Sequence, residues 1–294
     1  MSLDFYFAGS QNQLAEEYMM KNGCNRLLSY YNDKSIINKW LEHKKQNPNC
    51  TNKLFIDCGA YTAFTQDAII DIDVYVNYIN EIIDYVDIVA SLDVIGGKGE
   101  EDTDRKSYEN YLYLKEHIKD KHKLLPTYHQ GDKLKYLEKY LNDPDINYMA
   151  LGGLVGGSKA QLNSFFQLCY SKINKIRPDI CIHAFGMTSK PLLQSFPFTS
   201  ADSTGWIMTA ANGSIMTPWG VINVSEKTKG DADNYFNMSS EMQEKIKKYV
   251  QDFEFTMEEC CADYKVRTLI NIRYLKQFAD NRVTRMRSIS KSLF

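Results

Sequence analysis

Three aspartates stand at the ends of short apolar runs, where a side chain is most easily presented to a ligand. Asp57 closes Lys53–Asp57, Asp93 closes Asp87–Asp93, and Asp202 closes Thr199–Asp202. A carboxylate leaving a strand can serve as a nucleophile, pass a proton as general acid or base, or accept hydrogen bonds from a bound base edge. Asp is also a preferred helix N-cap and turn residue, and a single one would be read that way. Three at equivalent points favour a shared chemical role for at least two.

Other polar, glycine-bordered segments follow apolar runs in the same manner. His129-Gln130-Gly131 comes after Lys123–Tyr128, and Gly152-Gly-Leu-Val-Gly-Gly157 after Tyr148–Leu151. Phe185-Gly186-Met187-Thr188 follows Ile180–Ala184. The glycine-rich run has neither the P-loop order nor the dinucleotide fingerprint, so a phosphate cradle is not supported. Its glycines suit close approach of backbone N–H and C=O groups to a flat ligand. Tyr61 and Phe185 are either core aromatics or the two walls of a slot for a flat ring. His129 and His183 lack any His/Cys cluster with chelate spacing and read as hydrogen-bonding histidines. No metal and no cofactor is expected.

The elements that must position these residues alternate. Asp4–Ala8 supplies a further strand, and helical patterns cover Ser35–Lys45, Val74–Tyr85, Ser107–Lys119, Lys133–Leu141 and Lys159–Lys175. Strands separated by helices predict βαβ units and a mainly parallel sheet. In a doubly wound sheet the functional residues gather at one switch point. Here they recur after nearly every strand, as on the rim of an α/β TIM-type (β/α)₈ barrel. Ser214–Val224 reads as a hairpin or the barrel's final strand. Helices over about Ser239–Phe253 and Met257–Ala279 form a C-terminal extension (239–294) of a single domain spanning 1–294.

Composition sets outer limits. The chain has 294 residues, 35 Lys+Arg, 37 Asp+Glu and 44% hydrophobic residues, which excludes a disordered, collagen-like or disulfide-miniprotein character. A net charge of −2 gives no global signature of a nucleic-acid partner. Locally, Lys265, Arg267, Arg273 and Lys276 lead into a tail carrying Arg282, Arg285, Arg287 and Lys291, either a solvated face or a set of phosphate contacts. The seven cysteines include no Cys-x-x-Cys pair, and Cys260-Cys261 suits neither a chelate nor an ordinary disulfide, so reduced thiols are expected. The start has no basic n-region, and no window approaches the roughly 20 apolar residues of a membrane helix. A soluble cytoplasmic protein is expected.

Taken in order, the motifs resemble the tRNA-guanine transglycosylase superfamily. The likeness is greatest to its phage and bacterial DNA-modifying branch, which exchanges guanine in DNA for 7-deazaguanine bases. The family's Asp-Ser-Gly-Gly-Phe/Tyr is similar to Asp57-Cys58-Gly59-Ala60-Tyr61, its Gln-Gly to Gln130-Gly131 and its Gly-Gly-Leu to Gly152-Gly153-Leu154. Its Met-Gly-Val-Gly-Lys-Pro resembles Phe185-Gly186-Met187-Thr188-Ser189-Lys190-Pro191. Its nucleophile motif resembles Asp202-Ser203-Thr204-Gly205-Trp206, whose continuation is closer to the DNA branch. The likeness spans roughly residues 50–210.

This resemblance implies that Asp202 is a covalent nucleophile and Asp57 an acid/base or ribose-contacting residue. Asp93, Gln130 and the Gly153–Leu154 backbone would read the base edge, beside Gly186, with Tyr61 and Phe185 against its faces. It implies DNA and a free 7-deazaguanine base such as preQ0 as partners, in a bacterial or phage-infected cell. The chain departs from the family in three places. It lacks the Cys-x-Cys-x-x-Cys…His zinc pattern of the tRNA enzymes, so no zinc subdomain is expected. Ala60 replaces a glycine, and Asp132 follows Gln130-Gly131. The alternatives are a DNA glycosylase that excises a modified base, in anti-phage defence or repair, a tRNA-guanine transglycosylase, and an inactive nucleic-acid-binding barrel.

Overall fold

The computed structural model describes residues 2–9, 12–96, 102–154 and 156–284. Its strands are β1 (Asp4–Phe7), β2 (Asn25–Ser29), β3 (Leu54–Asp57), β4 (Ile88–Ala90), β5 (Leu124–Leu125), β6 (Thr127–His129), β7 (Tyr148–Gly152), β8 (Cys181–Ala184) and β9 (Ser200–Ser203). All are parallel, in the order β5-β4-β3-β2-β1-β9-β8-β7-β6. The two edges of this sheet, β5 and β6, are separated only by Pro126, which has no N–H to give a ladder. Ser91 N–H reaches Leu125 O on one side and Ala150 N–H reaches Pro126 O on the other, both at 2.8 Å. β5 and β6 are thus two halves of one stave, and the sheet nearly closes into a TIM-type barrel wrapped by helices.

Alternation along the strands builds two cores. Tyr6, Ala8, Leu27, Phe55, Ile88, Ala90, Leu125 and Ala150 point inward and fill the barrel. Their neighbours Phe7, Leu28, Leu54, Ile56, Val89, Ile182, Ala184 and Ala201 point outward into the larger core under the helices. Successive side chains on a strand alternate faces, so Asp57 is inward two residues beyond Phe55, and Ser200 and Asp202 share the inward face.

The five expected helices form as Lys34–Gln46, Ile72–Ile82, Thr103–His117, Leu134–Asn142 and Lys159–Ile176. The sequence pattern did not reveal β2, because its second residue is charged. Arg26 is buried there against Glu16 at 2.6 Å, while Trp40 Nε1–H donates to the same carboxylate at 2.8 Å. Paired in this way, an arginine can occupy a core strand.

Ser214–Val224 is not a barrel strand but a separate antiparallel hairpin, Ser214–Thr217 with Gly220–Asn223. Of the C-terminal helices, Ser240–Gln251 forms as expected, but the second is broken at Asp263 into Met257–Ala262 and Tyr264–Asp280. The Asp263 carboxylate accepts from Lys265 N–H at 2.8 Å and starts the new helix. Among the described residues no helix is long and apolar enough to cross a membrane.

Two arginines of the basic C-terminal stretch, Arg267 and Arg282, are buried, whereas Lys265 is exposed. Arg267 donates to Ala210 O, Cys260 O and Cys261 O at 2.9–3.0 Å. Arg282, expected at a phosphate-contacting surface, is only 4% exposed and donates to Phe198 O at 2.7 Å and Phe196 O at 3.1 Å. That expectation is corrected: its guanidinium ties the chain after the last helix to the segment entering β9, at the barrel end opposite the strand C-termini. Arg285, Arg287 and Lys291 lie outside the described residues. Because charged donors to buried carbonyls each contribute about 1.5–3 kcal/mol, Arg282→Met should lower unfolding stability by about 2 kcal/mol or more in urea titration. Unchanged stability together with weakened DNA binding would return Arg282 to a surface role.

Candidate active site

At the C-terminal ends of the strands lies a cavity of about 590 Å³. Asp57, Tyr61, Asp93, Gln130, Gly153, Leu154, Phe185, Gly186 and Asp202 all line it, so the residues singled out from β3 through β9 meet on one rim. Asp93 stands three residues past the end of β4, not on the strand itself.

Asp57 ends β3 on the inward register. The chain then turns sharply through Gly59, whose φ is +81°. A Cβ there would sit 2.5 Å from Ser29 Oγ and Tyr31 Cβ, so only glycine fits. The turn aims Gly59 N–H back at Asp57 Oδ2, 2.9 Å away. Burial, with Asp93 and Asp202 nearby, outweighs the Gly59 and Cys58 N–H groups and pushes the Asp57 carboxyl up to about 7. A group of that acidity can exchange protons in either direction near neutral pH.

Asp202 sits in β9 and is nearly buried. Its Oδ1 accepts from Gly186 N–H at 2.9 Å and lies 3.1 Å from His183 Nε2. Among the described residues none hydrogen-bonds to Oδ2, and the residue borders the cavity. One oxygen is held and the other is available.

His129, at the end of β6, lies between two carboxylates. Its Nε2 is 3.2 Å from Asp93 Oδ2 and its Nδ1 is 3.6 Å from Asp132 Oδ2. Burial alone would lower its pKa, but Asp93 and Asp132 raise it to about 10, so the ring is an imidazolium at neutral pH. Gly152 makes room for that ring, because a Cβ there would lie 2.8 Å from His129 Cδ2. The Gln130 side-chain amide makes no hydrogen bond to any described residue and borders the cavity.

Phe185 is half-buried against His183 and Phe55, at ring separations of 4.6 and 5.6 Å. Tyr61, on the short helix Ala60–Thr65, is 65% exposed at the rim. Leu154 packs its side chain into the core, whereas Gly153 is open at the cavity.

Two participants, Ser200 and Tyr148, escaped sequence reasoning, and Asp132 was singled out only as a departure after Gln130-Gly131. Asp132 is three residues beyond His129, and its carboxylate also accepts from His129 N–H at 2.8 Å. Ser200 is two residues before Asp202, and the strand register sets it beside His183. The spacings i, i+3 and i, i+2 were visible signals for these two. Tyr148, which reaches Ser200 through its hydroxyl, had none. Among the described residues, no group of three or more His, Cys, Asp or Glu side chains is arranged to hold a metal ion.

No protein-family model matches this chain, and no curated protein matches it in sequence.

The raised pKa of Asp57 makes the protein's stability depend on pH. Below its ordinary value of 3.8 the group is protonated folded or unfolded; as pH rises through about 7, ionisation is harder in the folded state and stability is lost. Asp57→Asn removes that loss. Its melting temperature should match wild type near pH 4 and exceed it at pH 8, by at least about 2 °C. A gap that does not depend on pH would show that Asp57 ionises as an ordinary carboxylate.

Proposed function

We propose that this protein cleaves the N-glycosidic bond of a nucleotide flipped out of DNA, using Asp202 as nucleophile, and exchanges guanine for a 7-deazaguanine base. The observation that carries this reading is the pairing, in one cavity, of Asp202 with an unengaged Oδ2 and Asp57 with a pKa of about 7. A sugar carbon that becomes oxocarbenium-like needs an anion beside it, and a departing base needs a proton. A second carboxyl that titrates near neutrality supplies the proton.

The steps balance. The target nucleotide leaves the stack at a cost of a few kcal/mol and enters the barrel mouth. Asp202 Oδ2 bonds to C1′ as the bond from C1′ to the base nitrogen breaks, its electron pair leaving with the base. Asp57 gives its proton to that base. The incoming 7-deazaguanine returns a proton to Asp57 as its ring nitrogen attacks C1′ and releases Asp202. Asp93, Gln130 and the Gly153–Leu154 segment read the base edge, while Tyr61 and Phe185 flank its faces. Arg285, Arg287 and Lys291 supply phosphate contacts in this reading, without Arg282. The resemblance of the motif order to that of the DNA-modifying transglycosylases supports exchange over simple hydrolysis.

The test is incubation with unmodified and modified DNA, with and without labelled preQ0, followed by mass spectrometry of released bases and of the DNA. Guanine release matched by label incorporation is expected. Asp202→Asn should bind DNA normally and lose turnover by several orders of magnitude, and Asp57→Asn by about 10²–10⁴-fold. Release that leaves abasic sites without incorporation would replace exchange with glycosylase activity. Undiminished turnover by Asp202→Asn would overturn the proposal.

A further inference from the structure

We infer that His183 is a positioning residue that, through a buried relay to Ser200 and Tyr148, fixes which oxygen of Asp202 is free to react. The inference rests on the proposed function for its chemical meaning, but its geometry stands apart from it.

His183 and Ser200 are both fully buried, and the pairing of β8 with β9 sets them side by side. His183 Nε2 lies 3.1 Å from Asp202 Oδ1, and Nδ1 lies 2.5 Å from Ser200 Oγ. Ser200 Oγ is in turn hydrogen-bonded to the Tyr148 hydroxyl. The rings of Tyr6, Phe55 and Phe185 pack around the imidazole at 6.0, 5.1 and 4.6 Å, and no other described residue hydrogen-bonds to either nitrogen.

With a neutral His183 ring, proton counting gives this relay one direction. A carboxylate at Asp202 requires a proton on Nε2, since a bare nitrogen lone pair would face an anion. In a neutral ring Nδ1 must then accept, so the Ser200 hydroxyl donates to it. Ser200 Oγ can accept only from Tyr148, whose hydroxyl donates. Every proton is used once, and the His183 tautomer is set by its far-side partner, as commonly happens for functional histidines. Oδ1 is thereby held by two donors, His183 and Gly186 N–H, and Oδ2 is left for C1′.

The direct test is NMR of protein labelled with ¹⁵N-histidine, with the His183 ring assigned by loss of its signals in His183→Gln. The wild-type ring should be neutral with its proton on Nε2; a proton on Nδ1 instead, or on both nitrogens, would overturn the relay. Kinetics supply the second arm. A Gln amide can place its nitrogen where Nε2 stands, whereas Asn reaches only the position of Nδ1. His183→Asn should lose about 10- to 100-fold in kcat, the rate equivalent of one charge-assisted hydrogen bond, with KM for DNA unchanged. His183→Gln should recover most of that loss. Should neither variant fold, the His183 ring signals are assigned instead by their shift in Ser200→Ala, which should also lower kcat without altering KM. Wild-type kcat in His183→Asn, with Asp202→Asn inactive, overturns the positioning role alone. An active Asp202→Asn overturns the reaction itself, whatever tautomer is found.

Discussion

Asp57, Asp93, Asp132 and Asp202 are crowded around one cavity, and the mutual repulsion of their carboxylates is the constraint the rest of the site answers. Like charges at short range in a medium of low polarisability cannot all persist without compensation. Three devices provide it. His129, held as an imidazolium, sits between Asp93 and Asp132. Backbone N–H groups from Gly59 and Gly186 donate to Asp57 and Asp202. What remains is absorbed by Asp57, whose proton is held to about pH 7. The same compensation that makes the cluster tolerable divides the labour within it: an acid that titrates near neutrality faces a carboxylate with one oxygen unengaged.

The barrel makes such crowding possible because its strands converge. Inward side chains of β3, β6, β7, β8 and β9 reach the same layer only if the sheet curls round on itself, and Pro126 lies where its two edges meet. Apolar residues such as Phe55, Leu125 and Ala150 fill the layer beneath and keep water from entering below. The far end is secured from outside. Leu3 N–H bonds Ala279 O at 3.0 Å, and Arg282 reaches the carbonyls that lead into β9. Arg282 at that end therefore holds the scaffold, whereas Asp57, Asp93, Asp132 and Asp202 at the other end line the cavity.

The parallel barrel and the convergence of its rim were legible because both follow from period: apolar runs of strand length, helical spacing between them, and a polar residue wherever an inward position emerges from the core. β2 was hidden by Arg26, since a charge in the middle of a short strand erases the pattern unless its partner Glu16 is known. The break before Tyr264 was hidden because Asp263 caps a helix without interrupting the apolar spacing around it. Arg282 was misplaced because sequence displays charge but not the carbonyls that await it. The relay from Asp202 to Tyr148 was out of reach for a related reason. Ser200 and Tyr148 are 52 residues apart and meet only after β7, β8 and β9 have paired.

The claim on which the account turns is that Asp202 Oδ2 forms a bond to the sugar. The most direct measurement is rapid chemical quenching of the wild-type protein with DNA during turnover, followed by proteolysis and mass spectrometry of the cross-linked peptides. A sugar–phosphate adduct is expected on the peptide carrying Asp202, forming and decaying at the rate of base exchange. Turnover with an adduct on Asp57 or Asp93, or with no adduct on the protein at all, would contradict it.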